Sequence, residues 1–155
     1  MTYKEIGENN QLGIDGFKRF ARIVGDVNDE EIRAFMRAAI LEVQQQADRA
    51  LVPCTIEIIG EGSEIQLWQP TIASVMSVTD IDTGDDELAD CMVAGQMLQL
   101  PYVGRWRVVY KTKPNAYEVE KLRPYVWKLV AAMNEGDTDE EARIKASIPI
   151  DYVVH

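Results

Sequence analysis

The chain has 155 residues, of which 46% are hydrophobic and 27% charged, a composition typical of a folded single domain. Its 16 basic and 26 acidic residues give a net charge of −10, so we expect no primary role in binding nucleic acid, because the phosphate backbone repels such a chain. We also expect a cytoplasmic protein without a membrane partner, because no apolar run approaches the roughly 18 residues of a spanning helix and the N-terminus does not look like a secretory signal.

The N-terminal third is predicted to be helical after a flexible start. Residues 1–13 are polar and contain two glycines, which predicts a loosely ordered arm. A short amphipathic helix is predicted over residues 17–24. Asn28 and Glu31 then form a capping-box pattern, and apolar residues at helical spacing predict a long amphipathic helix that Pro53 ends.

The middle of the chain changes to an alternation of period two, which predicts antiparallel strands. Residues 55–59 and 64–68 lie on either side of Gly60-Glu61-Gly62-Ser63 and predict a hairpin with a glycine-bearing turn. Residues 82–86 predict a second turn. Further strands are predicted at 72–81, 92–100 and 105–110.

The C-terminal third is predicted to be helical again. A helix is expected over residues 118–133, with a start nearer Arg123 as the alternative, because Pro124 suits a first turn. A short helix follows and ends near Ser147, and residues 148–155 predict an extended apolar tail. The predicted fold class is α+β in one domain, residues 1–155: mainly helical, with a long N-terminal amphipathic helix and C-terminal helices around a small antiparallel sheet.

The sequence predicts no catalytic, cofactor-binding or metal-binding residues. His155 is the only histidine, which removes the residue type most used for acid–base catalysis and zinc binding. Cys54 and Cys91 lack metal-ligand spacing, and we expect both to be buried structural thiols. A calcium loop that starts at Asp80 fails because Cys91 stands where the bidentate glutamate is required. Nucleotide-binding motifs are absent as well.

Two segments are candidates for contacts with other proteins. Core packing is the simplest explanation for Trp106, and a protein contact is the next, because tryptophan and the flanking Arg105 and Arg107 are residue types that are frequent in interfaces. The tail is too apolar for a free end, so it either docks on a partner as a strand or packs back on its own domain. Its candidate residues are Ile148, Ile150, Tyr152 and Val153.

The order and spacing of four segments match a known family. They are the long helix that ends at Leu51-Val52-Pro53, the pattern Leu67-x-x-Pro70 before Val75-x-x-Val78, the strand Trp106-Arg107-Val108-Val109-Tyr110, and the closing helix from Leu122 to Met133. The chain thereby resembles the head–tail connector (head-completion adaptor) proteins of long-tailed bacteriophages and prophages. It departs from them after Tyr110, where Lys111-Thr112-Lys113-Pro114 replaces the frequent Tyr-x-x-Gly.

The resemblance implies a structural virion protein without catalytic activity. Such proteins form a cyclic ring of about a dozen copies that joins the portal of the head to a tail-side connector. The implied location is the virion, with the host bacterial cytoplasm during assembly. Residues 1–13, 82–90 and 148–155 are the segments expected to reach the portal or the next ring.

Two other classes of function remain open from the residues alone. The first is a small cytoplasmic adaptor or regulator that binds a protein through its sheet and has no catalytic activity. The second is an enzyme, which the lack of catalytic motifs disfavours. Surplus apolar surface on the helices and the tail also predicts self-association.

Overall fold

The structure is a computed structural model that describes residues 1–25, 28–68 and 72–150. These residues contain four α-helices and five β-strands, and 43% of them are helical and 32% lie in strands. It divides into two compact units, each described by itself. The sheet unit comprises Met1–Gly7 and Val52–Pro114, and the helix unit comprises Glu8–Leu51 and Asn115–His155. The prediction of one domain is not tested by this division and stays a prediction.

The sheet unit is one antiparallel sheet of five strands. The strands are β1 (Thr2–Ile6), β2 (Cys54–Gln66), β3 (Ile72–Asp80), β4 (Met92–Ala94) and β5 (Met97–Thr112). Their order is β1-β2-β5-β3, and β4 also pairs with β5. Strand β5 therefore holds the sheet together: β2 pairs along one of its sides, while β4 and β3 pair with successive stretches of the other.

Alternating burial along β2 and β5 follows the alternation of apolar and polar residues. Trp106, Val108 and Tyr110 of β5 are buried, while Arg105 and Arg107 between them are exposed. Successive residues of a strand point to opposite faces, so one face carries the apolar side chains. Each fully buried side chain of this size contributes on the order of 1.5–3 kcal/mol relative to its exposed state.

A break in the pairing of β2 with β5 bends the sheet. Gly62 pairs with Gly104, but Glu64 pairs with Gln99, so the single residue Ser63 stands opposite residues 100–103. Gly62 has a φ of +117°, which a residue with a side chain rarely adopts. The predicted hairpin at residues 60–63 is therefore wrong: both halves belong to one continuous strand, and the glycines mark a bend in it.

The helix unit contains α1 (Ile14–Ala21), α2 (Asp29–Ala47), α3 (Ala116–Glu135) and α4 (Thr138–Ser147). The buried stripe of α2 follows the predicted helical spacing. It consists of Ile32, Met36, Ala39, Val43, Gln44 and Ala47. Phe17 of α1 packs against Trp127 of α3 with ring centroids 5.8 Å apart. An ion pair also links Lys145 of α4 to Glu42 of α2 at 3.9 Å.

The helix starts differ from those predicted. Asn28 is the N-cap of α2, but its side chain makes no capping hydrogen bond, so the predicted capping box does not form. Helix α3 begins at Ala116, where the side chain of Asn115 accepts hydrogen bonds from the backbone N–H groups of Tyr117 and Glu118. The helix predicted from residue 118 thus begins two residues earlier, and the alternative start near Arg123 is wrong, because Pro124 lies inside this helix.

The predicted fold class is wrong in its proportions. The protein is α+β, but it is not mainly helical with a long N-terminal helix around a small sheet. Strands β2 and β5 have 13 and 16 residues, because the sheet continues through glycines and Pro101 that had been interpreted as strand ends. The chain also begins with β1 and the short helix α1, so the long helix α2 is not its first element.

The segment 1–13 has regular structure over much of its length. Strand β1 pairs antiparallel with β2, and residues Asn10–Leu12 form a 3-10 turn that the side chain of Asn9 caps. Asn9 also donates a hydrogen bond from Nδ2 to the carbonyl oxygen of Leu51 at 2.8 Å. The mobility predicted for this segment in solution stays a prediction.

Candidate protein-interaction site

Trp106 lies in the core of the sheet unit. Its side chain is 0% exposed, and its indole Nε1 donates a hydrogen bond to the carbonyl oxygen of Gly62 at 3.0 Å. The ring of Tyr102 packs against it at a centroid distance of 5.0 Å. The indole N–H therefore has its hydrogen-bond acceptor, and the ring has its packing partner, within the sheet unit. Its neighbours Arg105 and Arg107 are exposed on the opposite face.

Arg105 is held by the segment that follows β3, residues 82–90, which we call the acidic turn. Its guanidinium Nη2 lies 2.5 Å from Oδ1 of Asp82, and both side chains are exposed. The hydrogen bond to Asp82 raises the pKa of the Arg105 guanidinium. Because the pair is exposed, it contributes little to stability and is screened by salt. Of the two arginines predicted to contact other proteins, Arg105 is therefore paired with Asp82, and Arg107 is not.

Asp80 organises the turn and is itself buried. Its Oδ1 accepts hydrogen bonds from the backbone N–H groups of Asp82 and Thr83, and its Oδ2 accepts one from the hydroxyl of Tyr102 at 2.5 Å. The Tyr102 hydrogen bond lowers the pKa of Asp80, and the same contact raises the pKa of Tyr102 to about 12. Asp82, the first residue of the segment 82–90, is therefore held by Asp80 at the end of β3 and by Arg105 of β5, whereas a role of this segment in reaching the portal or the next ring stays a prediction.

The two cysteines, Cys54 and Cys91, form no disulfide bond, and neither belongs to a metal-binding group among the described residues. Cys54 is buried, and Cys91 is partly buried beside the acidic turn. Burial raises the pKa of the Cys91 thiol, and the charges of Asp90 and Glu87 raise it further. A thiol with a raised pKa is a poor nucleophile at neutral pH. Within the described residues, no group of three His, Cys, Asp or Glu side chains could hold a metal ion.

A surface of exposed apolar residues lies where β4 pairs with β5 and where β5 bends. Met92 and Val93 of β4 are exposed, Met92 at 62%, and Tyr102 and Val103 in the bend are exposed too, Val103 at 78%. The sequence analysis missed this surface, because a regular strand would have pointed half of these side chains inward. The signal was present in Pro101 and Gly104, which bound the bend.

The predicted tail residues on either side of Pro149 differ in their burial. Ile148 is only 4% exposed and belongs to the core of the helix unit, whereas Ile150 is 53% exposed. Tyr152 and Val153 lie outside the described residues, as does Pro70, which belongs to the pattern that carried the family resemblance. Ile148 and Ile150 belong to the helix unit, and Arg105, Trp106 and Arg107 belong to the sheet unit.

The sequence predicted β3 as a strand over residues 72–81 but not its position at the edge of the sheet. One side of it pairs with β5. On the other side, the backbone N–H of Glu87 donates to the carbonyl oxygen of Val78, and the N–H of Asp80 donates to the carbonyl oxygen of Asp85. These bonds cover only the end of the strand that leads into the acidic turn.

No helix in the described part of the chain combines the length and the apolar character that crossing a membrane requires.

No model of a protein family matches the sequence, and no curated protein matches it either. The solved structures give a clearer result. A chain from the neck of an empty GTA particle, computed with C6 symmetry, matches with a TM-score of 0.64 and 15% identity, over 87% of this chain and 84% of that one.

A second match comes from the neck of the native GTA particle, computed with C12 symmetry. Its TM-score is 0.62 at 16% identity, again over 87% of this chain and 84% of that chain. The chain shares its fold with these two neck chains. The predicted resemblance to head–tail connector proteins is thereby confirmed at the level of the fold. At this identity the likeness concerns the fold, and the functional step belongs to the next section.

Proposed function

We propose that this chain is a structural protein of the neck of a phage-like particle. In that role it forms a homo-oligomeric ring and joins the portal of the head to a tail-side connector. The observation that supports this best is the fold shared with chains from GTA (gene transfer agent) necks over 87% of the sequence. The two necks were computed with C6 and C12 symmetry, which is in keeping with a ring of identical subunits.

The surface of the chain supports a role in assembly. The sheet unit exposes Met92, Val93, Tyr102 and Val103, and apolar surface of this kind often marks a contact with another protein. Arg107 lies exposed on the sheet face opposite Trp106 and adds a residue type that is frequent at the centres of interfaces. We propose these residues, with Ile150 of the tail, as the contact positions of the assembled ring.

We further propose that the protein acts without catalysis. This proposal rests on the kind of proteins that share its fold and on the raised pKa of Cys91. The alternative, a small cytoplasmic adaptor or regulator, would use the same exposed surfaces on a different partner. The two proposals differ in what the purified chain does at high concentration and in the presence of a portal.

The test combines sedimentation velocity with negative-stain imaging, over a range of protein concentration and with or without the portal protein of the same genome. The expected result is a closed ring, formed either by the chain alone or on the portal as a template. A paired variant, Met92→Ser with Val103→Ser, should shift ring formation to higher concentration without unfolding the chain. A chain that stays monomeric at high concentration and does not bind the portal contradicts the proposal.

A further inference from the structure

Over residues 72–77, one side of the backbone of strand β3 has no pairing partner among the described residues. Strand β5 pairs with its other side, and the return of the acidic turn covers only Val78 and Asp80. Among the described residues, the one isolated bridge on this edge joins Thr79 to Asp86. Six open residues at about 3.3 Å each make an edge of about 20 Å.

The chemistry of this edge is unusual for a natural sheet. The open segment is Ile72-Ala73-Ser74-Val75-Met76-Ser77, which contains neither a charge nor a proline. Its exposed side chains include Ser74 and Met76, the latter at 47%. Free edges usually carry lysine or proline, which prevent pairing with other strands. The opposite edge is protected in this way, because β1 has only five residues and carries Lys4 and Glu5.

The shape of the edge favours a short incoming strand. The pairing of β3 with β5 shifts register twice, between Ile72 and Ser74 and between Val75 and Ser77. Such bulges increase the local twist of a strand. A long flat strand cannot follow this twist, whereas a strand of about six residues matches the open length.

The C-terminal segment of the chain has the required length and composition. Ile148 is anchored in the core of the helix unit, and Pro149 prevents the helix from continuing. From Ile150, which is exposed, the sequence runs Ile150-Asp151-Tyr152-Val153-Val154-His155. These six residues are rich in the β-branched and aromatic types that favour strands. Fully extended, they span about 20 Å, the same as the open edge.

We propose that residues 150–155 of one copy add as a strand to the β3 edge, residues 72–77, of a second copy. Backbone hydrogen bonds supply the affinity, and the alternating apolar side chains of the tail supply the specificity. Each copy offers one tail and one edge, so the contact is head-to-tail and closes into a ring when the rotation between copies allows it. This inference rests on the proposed function, because it names the contact that holds the ring together.

The first experiment measures the contact without requiring a ring. A synthetic peptide of residues 148–155 is titrated into a chain that ends at Ile150, and binding is followed by calorimetry. Saturable binding is expected, weakened at least about tenfold when the peptide is N-methylated at alternate residues or when the chain carries Ser74→Lys and Met76→Lys. No binding, or binding unaffected by both changes, overturns the inference.

The second experiment distinguishes pairing between copies from pairing within one copy. The chain that ends at Ile150 has an edge and no tail, and the Ser74→Lys/Met76→Lys chain has a tail and a blocked edge. Each alone is expected to be a folded monomer by circular dichroism and sedimentation. Mixed in equal amounts they should form a 1:1 heterodimer and nothing larger, because only one usable contact remains. A mixture that stays monomeric overturns the proposal.

A matched control places the same charges elsewhere on the sheet. Ser63→Lys with Gln66→Lys also adds two lysines at exposed positions of a strand, but β2 is not the proposed edge. This control is expected to bind the peptide like the unchanged chain. If the chain that ends at Ile150 still forms rings and binds the portal, the proposed function stands and the tail contact is wrong. If the full chain does neither, the proposed function itself fails, and the peptide titration still decides the contact.

Discussion

At the scale of single residues, the bond from Tyr102 to Asp80 couples the stability of the sheet unit to pH. Its two ends shift in opposite directions: the pKa of Asp80 is lowered, and that of Tyr102 is raised to about 12. A lowered acid pKa gives stability that is present above the ordinary value and lost as pH falls through the folded value. A raised tyrosine pKa gives stability that is present below about pH 10 and lost as pH rises toward 12.

Replacing Tyr102 with phenylalanine tests this coupling. Tyr102→Phe is expected to lower the free energy of unfolding by a constant amount between about pH 6 and 9, and the difference from the unchanged chain should shrink above about pH 10. The measurement is urea unfolding at a series of pH values, with Tyr117→Phe, at an exposed tyrosine of α3, as the matched control. A difference that does not change with pH up to 12 would mean that the hydroxyl does not donate to Asp80.

At the scale of elements, the sequence predicted the number and order of helices better than the extent of the strands. Helix α2 was predictable because its apolar residues repeat at helical spacing for several turns. The predicted strands were shorter than β2 and β5, because Gly62 and Gly104 resemble turn residues in the sequence. In the structure these two glycines pair with each other at the bend. Whether a glycine ends a strand or bends it depends on the neighbouring strand, and a local pattern does not contain that information.

The candidate site was predictable only in part for the same reason. The alternation around Trp106 correctly separated the arginines from the tryptophan, because it depends on one strand alone. The open side of β3 was not predictable, since it depends on which strands pair and where the acidic turn returns. The bond from Tyr102 to Asp80 joins residues 22 positions apart, and no sequence spacing indicates it.

The start of α3 gives a prediction at the same scale. Asn115→Ala removes the acceptor for the N–H groups of Tyr117 and Glu118, and should lower the free energy of unfolding by about 1 kcal/mol. Asn115→Asp keeps the acceptor and places a negative charge at the helix N-terminus, so it should retain the stability of the unchanged chain. Urea unfolding measures both. Equal stability of the alanine and aspartate variants would mean that the helix starts further along, toward Pro124.

At the scale of the whole molecule, the net charge of −10 opposes the association of identical copies. Much of the nearby charge lies in the acidic turn, which follows the proposed β3 edge directly and includes Asp85 and Asp90. Salt should therefore promote ring formation, because the screening length falls from about 30 Å at 10 mM to about 8 Å at 150 mM. Contacts dominated by ion pairs would respond in the opposite direction.

The position of the removed charge separates local from overall repulsion. Asp85→Asn with Asp90→Asn changes the net charge by two units beside the proposed contact, and Glu30→Gln with Glu31→Gln changes it equally at the start of α2, in the other unit. If the β3 edge is the contact between copies, the first pair should allow rings at lower protein concentration in 150 mM salt, where the screening length is about 8 Å, than the second pair does. Sedimentation velocity measures the concentration at which each forms rings. An equal response from both pairs would mean that the acidic turn lies away from the contact, because screened repulsion acts strongly only within a few screening lengths.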